Sequence, residues 1–135
     1  MEPSAPPPQH LPLTAQWCVR ADRCISLEVA RTPAQQRLGM MQRPALPPLR
    51  GMWFPFERPV RLRFWMHNTL APLDMVFLDG DRVIHLERQV PVCPALPCIS
   101  YGPTRLGDGV VELRAGEIDR LGVQLGDAVL IESIE

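Results

Sequence analysis

Lysine is absent from this sequence, and all fourteen of its basic residues are arginine. The absence excludes Schiff-base chemistry on a lysine and the phosphate-binding lysine of P-loop proteins. Asparagine and tyrosine occur once each, whereas proline occurs sixteen times. This pattern is typical of a GC-rich coding bias, which we favour over selection of arginine for a function.

Long apolar runs are also absent, and none approaches the ~18 residues that a transmembrane helix needs. The chain has 135 residues, of which 46% are hydrophobic and 21% charged, and its net charge is -1. These values predict one folded domain and exclude disorder of the whole chain. The nearly neutral charge argues against nucleic acid or a membrane surface as a partner.

The N-terminal segment is rich in proline, with five prolines in residues 1–13. It predicts a flexible, polyproline-like tail that packs against little over residues 1–12, ahead of a single domain at residues 14–135. Met1 is followed by Glu2 and prolines, so the given chain shows no signal peptide. Either the protein starts in the cytoplasm or a targeting segment has been removed.

Alternation of apolar and polar residues predicts about seven short strands. The clearest is residues 60–67, with one face apolar and the other formed by Arg61, Arg63, Trp65 and His67. Gly80-Asp81 predicts a hairpin turn between residues 74–79 and 82–87. The remaining strands are predicted at residues 15–19, 24–30, 51–54, 110–114 and 128–134.

Two short helices complete the predicted architecture. Thr32 is a suitable N-cap, Pro33 suits the first helical position and Gln35 completes a capping box, so a helix should run to about residue 41. A second helix is predicted at residues 116–121, where Gly122 is suited to a positive φ. The sequence therefore predicts a single compact, mostly-β domain, either a β-sandwich or a barrel.

The four cysteines form two close pairs in the sequence, Cys18 with Cys24 and Cys93 with Cys98. An even number in close pairs is typical of disulfides, although four cysteines allow three pairings. Free thiols and a zinc site are the alternatives. The first pair encloses five residues, which is outside the usual spacing of a zinc knuckle, so we expect no metal and no cofactor.

Four segments in fixed order resemble one protein family. They are residues 39–43 (GMMQR), 51–54 (GMWF), 64–79 (FWMHNTLAPLDMVFLD) and 110–129 (VVELRAGEIDRLGVQLGDAV). The sequence from 28 to 129 resembles DUF192, a family of small domains of unknown function. The resemblance implies a compact β-rich fold and frequent export, and it implies no particular activity. The loop that ends in Tyr101-Gly102-Pro103 resembles the cyanobacterial branch of the family.

One departure from the family pattern bears on function. His67 stands where family members commonly have lysine, and Met40 replaces a usual leucine. If a cation at position 67 binds an anionic ligand, histidine would make that contact dependent on pH, because its charge changes near neutral pH.

The segment around His67 is the best candidate surface in the sequence. An indole beside amide, hydroxyl and carboxylate groups is the set that binds a sugar or another polar ring. Alternatively, these residues have structural roles: the polar ones would cap the turn, Asp74 would pair with Arg43 or Arg63, and Trp65 would cover a second sheet. The candidate ligand-binding residues are Arg43, Trp65, His67, Asn68, Thr69 and Asp74.

Motifs for catalysis are scarce. No serine lies in a Gly-x-Ser-x-Gly turn, and no His-Glu-x-x-His motif occurs. We therefore expect a monomeric, non-catalytic extracytoplasmic module, periplasmic or in the cell envelope, that binds a small polar ligand such as a glycan, or a protein partner. The alternative is a small hydrolase or other enzyme that uses His67 and Asp74 as a dyad.

Overall fold

Nine strands and two short helices make up the fold in the computed structural model, which describes residues 5–135. The mostly-β prediction is confirmed. The strands are β1 (Leu13–Arg20), β2 (Arg23–Val29), β3 (Arg50–Val60), β4 (Phe64–Trp65), β5 (Leu73–Asp79), β6 (Arg82–Val90), β7 (Ser100–Tyr101), β8 (Gly107–Arg114) and β9 (Ile131–Ser133). The helices are α1 (Pro33–Leu38) and α2 (Glu117–Leu121).

Seven strands form one sheet in the order β6-β5-β8-β3-β2-β1-β9, and β4 and β7 form a separate pair. Among the strand pairs of residues 5–135, only β2 and β3 run parallel, and α1 lies in the connection between them. The two edges of the large sheet meet ahead of β9. There Ala128 bridges Arg82, and the N–H of Val129 donates to the carbonyl of Asp81 at 2.7 Å. The sheet therefore curls toward a barrel.

Each face of the large sheet carries its own apolar core. In β5, Val76 and Leu78 belong to one cluster and Met75 and Phe77 to the other, as the two-residue period of a strand requires. We call the first face the α2 side, because Ile118 and Leu121 of α2 pack there. The opposite face is the α1 side, and its core comprises Ala30, Met40, Leu46, Met52, Phe54, Leu62, Met66, Leu73, Met75, Phe77, Val90 and Val110.

The helix boundaries follow local capping. The Thr32 side chain accepts a hydrogen bond from the N–H of Gln35 at 3.1 Å, and the Gln35 side chain accepts from the N–H of Thr32, so the predicted capping box is confirmed. The helix ends at Leu38, earlier than predicted, because Gly39 with φ 49° turns the chain away. Gly122 has the predicted positive φ, 71°, at the end of α2.

The prediction of one continuous strand over residues 60–67 is wrong. β3 ends at Val60, and only Phe64–Trp65 is a strand, paired with Ser100–Tyr101. In the gap, the guanidinium of Arg63 donates to the carbonyls of Leu62 and Pro103, both at 2.7 Å. The Arg63 side chain thus donates hydrogen bonds to two backbone carbonyls, as the N–H groups of a neighbouring strand would do in a sheet. The C-terminal strand is also shorter than predicted.

Most of the described residues ahead of β1 are exposed, as the predicted tail requires, but two of them contact the domain. The side chain of Gln9 donates to the carbonyls of Gln35 and Gly39, at 2.9 and 3.0 Å. The N–H of Leu11 donates to the Glu28 carboxylate at 2.8 Å, and Leu11 packs against the α1-side core. Polar bonds from this segment therefore anchor it despite its prolines. Residues 1–4, which the same prediction covered, lie outside the described residues.

The cysteines form the two pairs that are close in sequence. Cys18 and Cys24 lie opposite each other on β1 and β2, and Cys93 and Cys98 close the proline-rich loop; both pairs lie at disulfide distance. The hairpin register explains the first pair, because it places the two side chains on the same side of the sheet. Within residues 5–135, no helix is long and apolar enough to span a membrane.

Candidate functional site

A cavity of about 570 Å³ opens on the α1 side of the sheet. Three parts of the chain form its walls: α1 with the turn that follows it, the strands β3 and β8, and the segment around β4. The cavity exists because α1 and the β4–β7 pair cover the same face of the sheet from two directions. We call it the α1-side cavity.

Glu112 of β8 lies in this cavity, and only 4% of its surface is exposed. Its cross-strand neighbours are Met52 on β3 and Met75 on β5, both fully buried and apolar. Among the described residues its carboxyl group has no hydrogen-bond or ion-pair partner, and burial raises its pKa to about 8. At neutral pH the group is therefore mostly protonated and uncharged.

Aromatic rings form much of the cavity wall. Phe54 and Phe64 pack edge to face with ring centroids 4.9 Å apart, and Phe56 lies beside them in the lining. Trp65 is 42% exposed, and its ring lies 5.2 Å from the ring of His67. The wall thus offers large apolar surfaces, with Trp65 the most solvent-exposed of the aromatic rings.

Gln36 of α1 adds a polar group of defined orientation. Its Nε2 donates to the carbonyl of Ala30 at 3.1 Å and to that of Pro55 at 2.8 Å. Only the NH2 end of an amide can donate two such bonds, which fixes the orientation of the side chain. The amide oxygen accepts no hydrogen bond from the described residues, and Gln36 lines the cavity.

Three of the predicted ligand-binding residues come together here, since Trp65, His67 and Thr69 all line the cavity. Asn68 does not line it. Asn68 has φ 63°, and its carbonyl accepts a hydrogen bond from the N–H of Gln42 at 2.8 Å, so its backbone shapes the turn. The structural interpretation of Asn68 fits these contacts.

Arg43 and Asp74 lie outside the cavity lining. Arg43 pairs with Glu28 at 2.7 Å, and both side chains are buried. The two oxygens of Asp74 accept from the N–H groups of Gln89 and Ile118, each at 2.8 Å. The predicted pairing of Asp74 with Arg43 or Arg63 therefore does not occur.

The sheet geometry also separates Asp74 from His67. Asp74 alternates with Met75, so it projects to the α2 side, where it bonds the start of α2. His67 lines the cavity on the α1 side. The structure does not assemble the His67–Asp74 dyad of the alternative hypothesis.

Glu112 and Gln36 were not predicted as site residues. A signal for Glu112 was present in the sequence, since it is the only acidic residue in the apolar run from Val110 to Leu113. A charged residue in a strand buried on both faces needs a partner or a function. Within the described range, no group of three or more histidine, cysteine or acidic residues is placed to hold a metal ion.

Comparison with known proteins identifies the family. The family model DUF192, described as an uncharacterized ACR, matches residues 16–131, and the chain belongs to this family. A search of curated proteins finds no match.

Two solved structures share the fold. One, from Sinorhizobium meliloti 1021, is described as a candidate transcription regulator. It is 28% identical, with a TM-score of 0.72 over 88% of this chain and 91% of the other. The second is a protein of unknown function from Novosphingobium aromaticivorans DSM 12444. It is 30% identical, with a TM-score of 0.71 over 87% of this chain and 83% of the other.

Proposed function

We propose that this protein is a non-catalytic module that binds a small polar ligand in the α1-side cavity and works outside the cytoplasm. The observation that carries the proposal is Glu112, a buried carboxyl group without a partner in a cavity large enough for a small molecule. Perturbed carboxyl groups in such cavities are typical of functional sites.

The chain leaves the carboxyl group of Glu112 to whatever occupies the cavity. Glu112 is 4% exposed, and its oxygens are not fully enclosed by protein, so they reach the cavity volume. A bound polar ligand would supply the hydrogen bond to Glu112. The rings of Phe54, Phe56, Phe64 and Trp65 would supply apolar contact area. A glycan ring is one ligand with this combination of faces and polar edges.

Two alternatives have less support. A hydrolase that uses His67 and Asp74 would need the two side chains on the same side of the sheet, whereas Asp74 bonds the backbone on the other side. The Sinorhizobium protein is described as a candidate transcription regulator. A protein that binds nucleic acid would be expected to have a basic surface. This chain has a net charge of -1.

The cysteine pairs support an extracytoplasmic compartment, because disulfides persist mainly in oxidising environments. We expect both disulfides in protein purified from its native host. Mass spectrometry after alkylation, with and without reductant, measures this. Alkylation of all four cysteines without reductant would contradict both the disulfides and the compartment. We also propose that the sequence of the 93–103 loop relates this protein to the cyanobacterial branch of the family.

A thermal-shift screen tests the binding proposal. The panel contains oligosaccharides, cell-wall fragments and small amines, alcohols and carboxylates. We expect at least one compound to raise the melting temperature of the natural protein, and Glu112→Gln and Trp65→Ala to reduce that rise. Glu57→Gln, which changes an exposed carboxylate on β3, is the matched control. Shifts that are absent, or equal in all four proteins, would refute the proposal.

A further inference from the structure

We infer that the ligand of the α1-side cavity is a small organic monocation whose ammonium group is held by Glu112 and the amide oxygen of Gln36. The inference rests on the proposed function and adds the chemical class of the ligand. It follows from which polar groups the cavity offers, which of them already have partners, and what the walls are made of.

Two of the polar side chains that line the cavity offer free acceptor oxygens. Gln36 uses both N–H donors on the carbonyls of Ala30 and Pro55, which leaves its oxygen free. Glu112 offers two carboxyl oxygens, neither with a partner among the described residues. An ammonium group carries several N–H donors and no acceptor, and it therefore matches this set.

The aromatic part of the wall favours a positive charge, whereas the arginines in the lining oppose one. Rings of Phe54, Phe56, Phe64 and Trp65 line the cavity, and cations are attracted to aromatic faces within about 6 Å of the ring centre. Met40 and Met41 add polarizable thioethers to the lining. A carboxylate together with aromatic rings is a suitable environment for a desolvated ammonium group.

Charged groups at the cavity limit the ligand to one positive charge. Arg37 of α1, and Arg63 and His67 on either side of β4, line the cavity. The residues that flank Glu112 on β3 and β5, Met52 and Met75, carry no charge. One guanidinium nitrogen of Arg63 is already committed to two carbonyls. A second ammonium group on the ligand would be repelled by the arginines, so a diamine should bind less well than a monoamine.

Binding should release one proton. In the free protein Glu112 is protonated at neutral pH, because burial raises its pKa to about 8. When an ammonium group binds, the Glu112 proton leaves to bulk solvent and a carboxylate–ammonium pair forms, while the ligand keeps all its own protons. Affinity should therefore rise by up to about tenfold per pH unit between pH 6 and 8.

The experiment compares three probes of nearly equal shape: benzylamine, benzyl alcohol and benzoate. Calorimetry at pH 7 in phosphate and in MOPS, neither of which is a net cation, reports the protons released, because the two buffers differ in protonation enthalpy. We expect benzylamine to bind at least tenfold more tightly than either other probe, with release of close to one proton. 1,4-Bis(aminomethyl)benzene should bind less well than benzylamine.

Three variants assign the effect to Glu112. Glu112→Gln should abolish both the preference for benzylamine and the proton release, whereas Glu57→Gln, on the exposed part of β3, should keep both. His67→Gln should keep the rise of affinity with pH. If that rise disappears in His67→Gln and persists in Glu112→Gln, His67 is the titrating group and the inference is wrong.

The remaining outcomes separate this inference from the proposed function. Tighter Glu112-dependent binding of benzyl alcohol or benzoate than of benzylamine would overturn the ammonium assignment and leave the cavity as a ligand site. Absence of binding by all three probes also overturns the ammonium assignment. The proposed function fails only if the full screen gives no shift that depends on Glu112 and Trp65.

Discussion

Glu28 and Glu112 are two buried glutamates in one row across the α1 side of the sheet. Glu28 on β2 lies beside Met52 on β3, and Met52 lies beside Glu112 on β8. Their exposed fractions are 2% and 4%. The guanidinium of Arg43 donates to Glu28 at 2.7 Å, and the N–H of Leu11 donates to it at 2.8 Å. Glu112 has no partner among the described residues.

The difference shows that burial alone does not define a functional carboxylate. Around Glu28, the chain supplies a cation and a backbone donor, so Glu28 already has an ion-pair partner and a hydrogen bond. Around Glu112, the chain supplies aromatic walls and an open volume. The first glutamate fastens the segment ahead of β1 and the turn after α1 to the sheet. The second has no partner among the described residues, and in the function proposed above a ligand supplies one.

The largest expected effect comes from removing the partner of Glu28. Arg43→Met should lower the free energy of unfolding by about 3–5 kcal/mol, because it leaves a buried charge unpaired. Urea denaturation measures the change, and Arg37→Met, on the exposed side of α1, is the control. A loss below about 1 kcal/mol for Arg43→Met would remove the contrast between the two glutamates.

The second effect is a dependence of stability on pH caused by Glu112. Its pKa rises from the ordinary 4.5 to about 8 in the folded protein, so between these values the folded state binds more protons than the unfolded state. Stability from this group is therefore full below about pH 4.5 and falls as pH rises, by up to ~1.4 kcal/mol per unit, until about pH 8.

The variant Glu112→Gln isolates that contribution. Denaturation of both proteins at pH 5, 6, 7 and 8 gives the difference in unfolding free energy, in which groups common to both cancel. The natural protein should lose stability relative to Glu112→Gln as pH rises through this range. A difference that stays constant with pH would show that Glu112 is ionised throughout.

The fold was largely predictable from the sequence, because alternation of apolar residues and capping patterns are local signals. The β5–β6 hairpin at Gly80-Asp81 and the capping box at Thr32 and Gln35 show this. Residues 60–67 show the limit, since an alternating pattern does not reveal whether a neighbouring strand is available. There, bonds from Arg63 to Leu62 and Pro103 replace the ladder.

The site was predictable only in part. Trp65, His67 and Thr69 lie together at the cavity because they are close in sequence. Glu112 reaches the same cavity only through the pairing of β8 with β3, a contact between distant segments that residue patterns do not specify. Asp74 was predicted on proximity in sequence, but strand alternation places it on the other side of the sheet.

The smallest effect on stability is expected at Trp65. Because this side chain is 42% exposed, Trp65→Ala should cost less unfolding free energy than truncation of a fully buried ring. Phe54→Ala, at a ring that is 1% exposed in the same cavity, should cost about 3–5 kcal/mol. Thermal denaturation of both variants checks this. A loss of 3 kcal/mol or more at Trp65 would make it a core residue and not a ligand-contacting one.

The most direct measurement is an NMR titration of the glutamate side-chain carboxyl carbons in the free protein, with Glu112→Gln used to assign the signal of Glu112. The unpartnered state of Glu112 predicts a midpoint near pH 8, because burial opposes its ionisation and the described residues offer no compensating group. A midpoint near 4.5 would mean that water or a cation already stabilises the carboxylate, and would contradict the account of the cavity as a site that lacks its partner.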